Sequence, residues 1–406
     1  MKKPKAVILL IPSAREFDRG LRRGIIEYAH THGPWIFHEE APPYLQRLSP
    51  KQRMQNMRAW HADGMIVIQS RYAEVRSLDV PTVVAVGSRT LKPSFSQVVC
   101  ADEEIGREGA RVVLSLGLRN FAYCGLNGLE FSDNRGKGFQ GAILAAGFRA
   151  DFYSPSTEHL GQSWYREQKL LGRWLMQLRK PVGLLACNDD RARVITEICR
   201  LRGIRVPDDV AILGVDNDEQ VCRSSNPPIS SIALATERGG YEAAALLAKL
   251  MSGRTPARGT ITVHPTQVVR RQSTDILAIQ DQHMVRALRF IRDHSHRNLR
   301  VSDVLLEAGL SRRALQDKFT REVGRSPIEE IHQCRVDRIC RLLLGTNMTI
   351  REIALACGFE IDAHVARFFS RRMGMTPLAY RKKLRLGPYE PGLRSDGTGS
   401  DLNFTG

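Results

Sequence analysis

From Ala6 to about Thr274 the chain alternates short apolar runs with amphipathic stretches. "AVILLIP", starting at Ala6, precedes a helix-like segment from Glu16 to Thr31; "MIVIQ", "TVVAVG", "FAYCGL", "VGLLACN" and "VAILGVD" follow, most with a helical stretch behind them. Such runs of Val, Ile, Leu and Ala, bounded by Gly, Pro or Asp, suit strands buried on both faces of a parallel sheet. The expected fold class of this stretch is α/β, doubly wound. The strands are too many for one small sheet, so the pattern predicts two Rossmann-like lobes, with ligand at the carboxyl ends of the strands.

Beyond Gln282 the strand pattern stops, and the chain has helical periodicity as far as Leu386. An all-α domain is expected over 283–386, after a linker at 276–282 and before a flexible tail at 387–406. Within it one pattern occurs twice, at about 299–324 and 348–374. In the first copy a short helix ends at Gly309, which can take the left-handed conformation of a helix-turn-helix turn, and Ser311 caps a second helix. Ala314, Leu315, Phe319 and Val323 form its inward stripe, leaving Arg312, Arg313 and Gln316 outward. In the second copy Gly358, Phe359, Val365, Phe369 and Met373 point inward, with Asp362, His364 and Arg367 outward. Gly to Phe is ten residues in one copy and eleven in the other, and Phe to Gly is five in both.

Recognition helices present Arg and Gln from their N-terminal halves to base edges in the major groove of double-stranded DNA. Arg312, Arg313, Gln316 and Arg367 are the candidates for that role, and His364 lies among the DNA-binding residues beside them. Arg371, Arg372, Arg381, Lys382 and Lys383 are candidates for phosphate contacts, which position a reader without specifying sequence.

Charge agrees with this division. Of 406 residues 60 are Lys or Arg and 43 Asp or Glu, a net charge of +17. Residues 282–386 hold 21 Lys/Arg against 11 Asp/Glu, so over half of the excess lies in about a quarter of the chain. A strong positive field favours phosphate-rich partners. With 42% hydrophobic residues the chain has ample material for packed cores, and its length implies roughly 2 to 3 of them. The eight cysteines are scattered, without C-x-x-C pairs or zinc-spaced histidines, and read as buried thiols of a cytoplasmic protein. The opening "MKKPKAVILLIPSA" superficially imitates a signal peptide, but its apolar run is short and ends at Pro12, so a buried strand is expected. No apolar run approaches the roughly 18 residues of a membrane span.

The predicted carboxyl ends of the strands are polar. Ser13, Arg15, Asp18 and Arg19 follow the first run; Ser132, Asp133, Asn134 and Arg135 follow "FAYCGL"; Asn188, Asp189, Asp190 and Arg191 follow "VGLLAC"; Asp216, Asn217 and Asp218 follow "VAILGV". Carboxylates, amides and guanidinium forks can pair with the hydroxyls of a small polyol. Phosphate would call for a Gly-rich loop such as the P-loop, and no P-loop is present. Asp and Asn at such places also serve as helix N-caps. The candidate ligand set is Arg15, Asp18, Arg19, Arg135, Asn188, Asp189, Arg191, Asp216 and Asn217. A neutral monosaccharide is the expected ligand; a phosphorylated sugar stays open because Arg15, Arg19, Arg135, Arg191 and Arg193 could accept an anion. No cofactor or metal is expected. An enzyme is the other alternative, since paired carboxylates occur at Asp189/Asp190 and Asp216/Asp218, but the chain has no "PCHR"-like cysteine, nucleophile elbow or H-E-x-x-H.

The segments "FSDNRGKGFQGA", "ACNDDRARV", "VAILGVDNDE" and "ISSIALATERGGYEAAALLAKLM" resemble periplasmic sugar-binding proteins and the effector domains of LacI-type repressors. This resemblance, over about residues 5 to 275, implies two lobes joined by three crossovers: one at about 1–100 and 232–258, the other at about 101–231 and 259–275. It also implies a monosaccharide between them, held by Arg135, the Asn188/Asp189 pair and Asp216. The second helix-turn-helix and "GMTPLAYRKK" (Gly374, Thr376, Pro377, Tyr380, Arg381) resemble the AraC/XylS regulators, although that family reads Tyr-Phe where this chain has His364 and Val365. A sugar domain followed by an AraC-type reader resembles the xylose-operon regulators, as does the junction "VVRRQSTD". That resemblance implies a cytoplasmic activator responding to D-xylose or a related aldose. It also implies operator DNA, a homodimer and RNA polymerase as partners.

Overall fold

The computed structural model describes residues 3–40, 48–86, 95–155, 164–253, 259–276 and 281–384. The first lobe runs β1 (Lys5–Leu10), α1 (Glu16–His32), β2 (Trp35–His38), α2 (Pro50–Ala59), β3 (Gly64–Ile68), α3 (Gln69–Val75), β4 (Thr82–Ala85) and β5 (Ser96–Cys100). The second continues with α4 (Asp102–Leu114), β6 (Asn120–Cys124), α5 (Glu130–Ala145), β7 (Ala150–Tyr153), α6 (Trp164–Gln177), β8 (Val182–Ala186), α7 (Asp189–Leu201), β9 (Val210–Asp216), α8 (Glu219–Ser224) and β10 (Ser230–Leu234). The chain then returns through α9 (Thr236–Met251) and β11 (Thr260–Val263) to the first lobe, and through β12 (Pro265–Val269) to the second.

Each lobe has a six-stranded sheet, ordered β11-β5-β4-β3-β1-β2 and β12-β10-β9-β8-β6-β7. All pairs are parallel except β10 with β12. The apolar runs are the central strands: Val7 to Leu10, Met65 to Val67, Leu184 to Ala186 and Val210 to Leu213 are buried. Helices cover both faces of such a sheet, so both sides of each strand must be apolar.

The edges correct the expected lobe boundaries. β11, expected in the second lobe with 259–275, pairs in parallel with β5 of the first, Thr260 opposite Gln97. Its "TITV" is only partly buried, and a half-covered edge strand carries too little apolar signal to reveal its sheet. β10 stays in the second sheet beside β9, so the return falls at Ala235 rather than at about 232.

The helical domain comprises α10 (Gln282–Asp293), α11 (Val301–Ala308), α12 (Arg312–Val323), α13 (Pro327–Gly345), α14 (Ile350–Ala356), α15 (Asp362–Met373) and α16 (Pro377–Leu384). It has two small cores. Leu288, Val304, Leu315, Phe319 and Ile331 anchor one; Ile339, Leu343, Ile353, Val365 and Phe369 anchor the other. α13 contributes to both, and its 19 residues make a strut of roughly 28 Å. Residues 277–280 of the expected linker and the expected tail at 387–406 lie outside the described residues. All eight cysteines are free thiols, seven of them buried and Cys334 half-buried.

Candidate ligand cleft and nucleic-acid interface

The chain passes between the lobes at Ala101, Ala235 and His264. Backbone bonds tie these passages together: Ala101 N donates to the Val263 carbonyl (2.9 Å) and Ala235 N to that of His264 (3.0 Å). The carboxyl ends of β1, β6, β8 and β9 turn toward the cleft beside this hinge. Its two walls are in contact. Arg15 Nε lies 2.6 Å from Asp190 Oδ2, Arg19 Nη2 lies 3.0 Å from Asp218 Oδ2, and the Glu16 amide donates to the same Asp218 oxygen at 2.9 Å.

Arg135 and Asp216 are the inner pair. Arg135 is 3% exposed, donating from Nε to Asp102 Oδ1 (3.0 Å) and from Nη1 to the Cys187 carbonyl (2.6 Å). Asp216 Oδ1 forms an ion pair with Arg135 Nη1 at 3.7 Å, too far for a hydrogen bond, and this buried oxygen has no hydrogen-bond partner among the described residues. Burial pushes the Asp216 pKa up to about 7 against the pull of Arg135, helped by Asp102, Asp190 and Asp18. Asp18 enters from the opposite lobe, and burial lifts its own pKa to about 6. Backbone geometry fixes the inner pair further. Asp216 and Asn217 have φ of 102° and 52°, a left-handed conformation costing roughly 1–3 kcal/mol per residue, retained only when the surroundings enforce it. Ser231 Oγ accepts from the Asn217 amide (3.0 Å), and Arg271 donates to Asn217 Oδ1 (2.8 Å).

Several other predicted ligand groups are occupied by the fold. Both Asp189 oxygens are taken, by the Asp218 amide (2.7 Å) and the Ser231 hydroxyl (2.6 Å), in a site where a Cβ on Gly214 would lie 2.2 Å from Oδ1. Asp189 is thus a brace beneath the cleft. Arg191 is buried against Glu167 (2.7 Å) and Cys124 Sγ (3.2 Å), away from any ligand role. Asn217 is held by Arg271, and Arg193 pairs with Glu197 (2.7 Å). Asn188 caps α7 through Oδ1, which accepts the Arg191 amide at 2.9 Å, while its Nδ2 donates to no group among the described residues. Asp102, the partner of Arg135, escapes the sequence pattern because "SQVVC" before it is a short, partly polar run that does not mark a strand end. The Asp190 and Asp218 latches could be seen as polar strand ends, but their partners lie about 200 residues away in sequence.

The helical domain places its predicted readers more simply. Gly309, Gly324, Gly358 and Gly374 all take positive φ, so each helix of the repeat ends in the left-handed turn that its glycine permits. Arg312, Arg313 and Gln316 are exposed on α12, and Arg313 is 94% accessible. His364, Arg367 and Arg371 are exposed on α15 and Lys382 on α16. One predicted phosphate contact is corrected: Arg381 is half-buried and engaged by the fold, while Arg372 stays exposed. Arg381 donates to the carbonyls of Leu343 (2.9 Å) and Met348 (2.6 Å), capping the end of α13. Arg372 stacks over Phe368 (4.4 Å), hydrogen-bonds His332, and lines a cavity toward the sensor lobes.

Arg312 and Lys382 separate two modes of contact. Arg312→Ala is expected to lower affinity for a cognate operator by about 1–3 kcal/mol while sparing random DNA; Lys382→Ala should weaken both alike and flatten the salt dependence by about one unit. Titrations at several salt concentrations on both DNAs check this; equal losses for Arg312→Ala would assign it to phosphate.

The reader also touches the second lobe directly. Tyr380 donates to the Thr266 carbonyl (2.8 Å), Arg111 reaches Asp337 (3.4 Å), Arg292 donates to the Ser115 carbonyl (3.3 Å) and Arg119 to that of Arg321 (3.1 Å). Thr266 lies two residues past the His264 passage.

A periplasmic binding protein-like domain matches residues 110–274 and a helix-turn-helix domain residues 305–383. The two lobes, their cleft and the duplicated reader therefore define a sugar-responsive, DNA-binding transcriptional regulator. The chain is 30% identical over 389 residues to the xylose operon regulatory protein of Escherichia coli K12, across 92% of this chain and 96% of that one, and it belongs to this family of regulators. A Haemophilus influenzae protein of the same name is 28% identical over 308 residues, 74% of this chain and 79% of that one. Among solved structures a xylose-binding transcription activator superposes with a TM-score of 0.57 at 27% identity, over 95% of this chain and all of that one. A cellobiose-bound regulator, at 18% identity and TM-score 0.53 over 67% of this chain and 85% of that one, shares the fold.

Proposed function

We propose that the protein is a cytoplasmic activator of pentose catabolism genes, responding to D-xylose or a closely related aldose. It acts as a homodimer on operator DNA, with RNA polymerase as a further partner, and as a regulator rather than a catalyst. The observation that carries the sugar reading is the buried Asp216 oxygen that no donor hydrogen-bonds, in a cleft whose arginines are already matched by Asp190, Asp218 and Asp102. With the guanidinium groups neutralised, what remains is acceptor capacity at Asp216 and Asp18, which suits hydroxyl donors and repels a phosphate. Likeness to the xylose operon regulators supports xylose among the aldoses. The proposed ligand set is Arg135, Asp216, Asp18 and the Asn188 amide, with Arg15 and Arg19 as the cleft's latches.

Calorimetric titration with free and phosphorylated pentoses and hexoses, repeated with operator DNA bound, tests the reading. Binding of a neutral aldose with a reciprocal change in DNA affinity is expected. Preference for a phosphorylated sugar would overturn the neutral ligand, and identical operator binding with and without sugar would overturn the regulatory coupling.

The pKa of Asp216 adds a pH dependence. Hydroxyls donate to the ionised carboxylate, so binding lowers its pKa and releases a proton wherever the free cleft holds it protonated. Sugar affinity should rise with pH and level off above about 7, being about tenfold weaker at pH 6 than at pH 8. Calorimetry in buffers of different ionisation enthalpy should show close to one proton released at pH 6 and almost none at pH 8. A flat profile would remove Asp216 from the contact.

A further inference from the structure

Between the sensor lobes and the reader lies a cavity of about 610 Å³, separate from the sugar cleft, with walls from β12, α4, α10, α13, α15 and α16. Its charges do not balance. The carboxylates on its wall are already engaged: Glu104 by His264 (2.8 Å), Glu108 by Arg111 (2.6 Å), and Asp337 by Arg111 and Gln333 (2.9 Å). Arg270 from the sensor and Arg341 from the reader pair with no carboxylate among the described residues, while Arg292 has a backbone carbonyl and Arg372 an aromatic face and an imidazole. Crowding of like charge is already felt. Burial, then the charge of Arg270, holds the Arg292 pKa below its ordinary value despite Glu330 and Asp275.

We propose that this cavity is a second effector site, taking a small polyanion of the phosphate-ester or diphosphate class that bridges Arg270 and Arg292 to Arg341 and Arg372. The volume falls in the range of small-molecule sites, roughly 300–1,000 Å³, and its mix of arginine forks with the polar side chains of Gln267 and Gln333 suits phosphate oxygens. An anion there replaces repulsion between the domains with attraction. It therefore favours the docked reader, the state in which Tyr380 holds Thr266. Such a ligand would let the regulator weigh a phosphorylated metabolite against the free sugar.

The test is calorimetry and thermal melting of the full-length protein with inorganic pyrophosphate and ribose 5-phosphate at constant ionic strength, without DNA. One equivalent is expected to bind and raise the melting temperature. Arg270→Gln and Arg341→Gln, one exposed residue from each domain, should each weaken binding at least about tenfold, because each removes a charged hydrogen-bond donor. Arg173→Gln and Arg200→Gln, on exposed helix faces of the second lobe, remove equal charge elsewhere and should have no effect. Affinity for the best free aldose should be the same in all four variants, which separates this site from the cleft. Absence of binding up to ligand concentrations on the order of 10 mM, where even a Kd of about 1 mM would show, or equal weakening in cavity and control variants, would overturn the proposal. So would a cavity variant that leaves pyrophosphate binding intact but flattens the salt dependence of DNA binding, since the arginines would then serve the DNA backbone.

Discussion

Asp216→Asn is expected to weaken sugar binding by about 2–3 kcal/mol, roughly 30- to 150-fold, and at the same time to raise the melting temperature of the ligand-free protein at pH 8. The two effects have one cause. In the free protein the half-buried carboxylate has a buried Oδ1 with no hydrogen bond, ion-paired at 3.7 Å with Arg135 and facing Asp102, Asp190 and Asp18. Folding raises its pKa from the ordinary carboxylate value near 4 to about 7. A group with a raised folded pKa contributes most to stability below its unfolded pKa, and that contribution is lost as pH rises through the folded one. The wild-type sensor should therefore lose stability between about pH 4 and 7 relative to Asp216→Asn, and at pH 8 the variant should melt higher by several degrees. Sugar hydroxyls supply the missing donors, so ligand should stabilise the wild type more than the variant. Melting curves at pH 5 and pH 8, with and without the best aldose, give all four quantities. A variant that binds sugar as the wild type does would show that Asp216 shapes the backbone turn without touching the ligand.

A second large effect is expected at Arg335, which sequence patterning left unremarked. It sits on α13, is 6% exposed, and donates from Nη2 toward three carbonyls: Arg297 (3.2 Å), Cys357 (3.1 Å) and Gly358 (3.3 Å). Its guanidinium lies 4.5 Å over the Phe359 ring. Arg297 precedes the first helix-turn-helix and Gly358 forms the turn of the second, so one side chain ties the two halves of the reader across the strut between them. The approach is close enough that a Cβ on Gly358 would stand 2.6 Å from the backbone of Arg297 and Asn298. Arg335→Met should destabilise the reader by about 3 kcal/mol, since three carbonyls, that of Cys357 buried and the other two partly so, lose a charged donor, and lower its melting transition by roughly 10 °C or more. Operator sites engaging both recognition helices should lose more affinity than a site for α12 alone, because the spacing of the helices is no longer held. Arg335→Lys should rescue little, since an ammonium cannot span the carbonyls or stack on the ring. An unchanged transition in Arg335→Met would show the clamp to be dispensable.

Local patterns determined a good deal of this protein. Strands buried on both faces must be continuously apolar, so "AVILLIP", "VGLLACN" and "VAILGVD" could be read as central strands without knowledge of their neighbours. Helices that end in a tight left-handed turn favour glycine there, so the glycines of the helical repeat marked its turns, and the alternation of buried Leu315 and Phe319 with exposed Arg312 and Gln316 follows from helical period alone. The polar strand ends were legible for the same reason: the first residues past a buried strand are the first to meet solvent or ligand.

What tertiary structure alone decided is how each polar group is occupied. Asn188, Asp189, Arg191 and Asp216 look alike in sequence, each a hydrogen-bonding residue beyond an apolar run. Only the fold caps a helix with the first, braces two strand ends with the second, buries the third against Glu167 and leaves an oxygen of the fourth without a donor. The same holds for Arg381, outward by helical period yet drawn onto the carbonyls of Leu343 and Met348 at the end of α13. Hydrophobic burial is set by a residue's own neighbours along one element, and so it is written locally. A hydrogen bond or ion pair needs a partner within about 3 Å, and that partner usually comes from a different element, far along the chain, which only the assembled lobes and reader bring into reach.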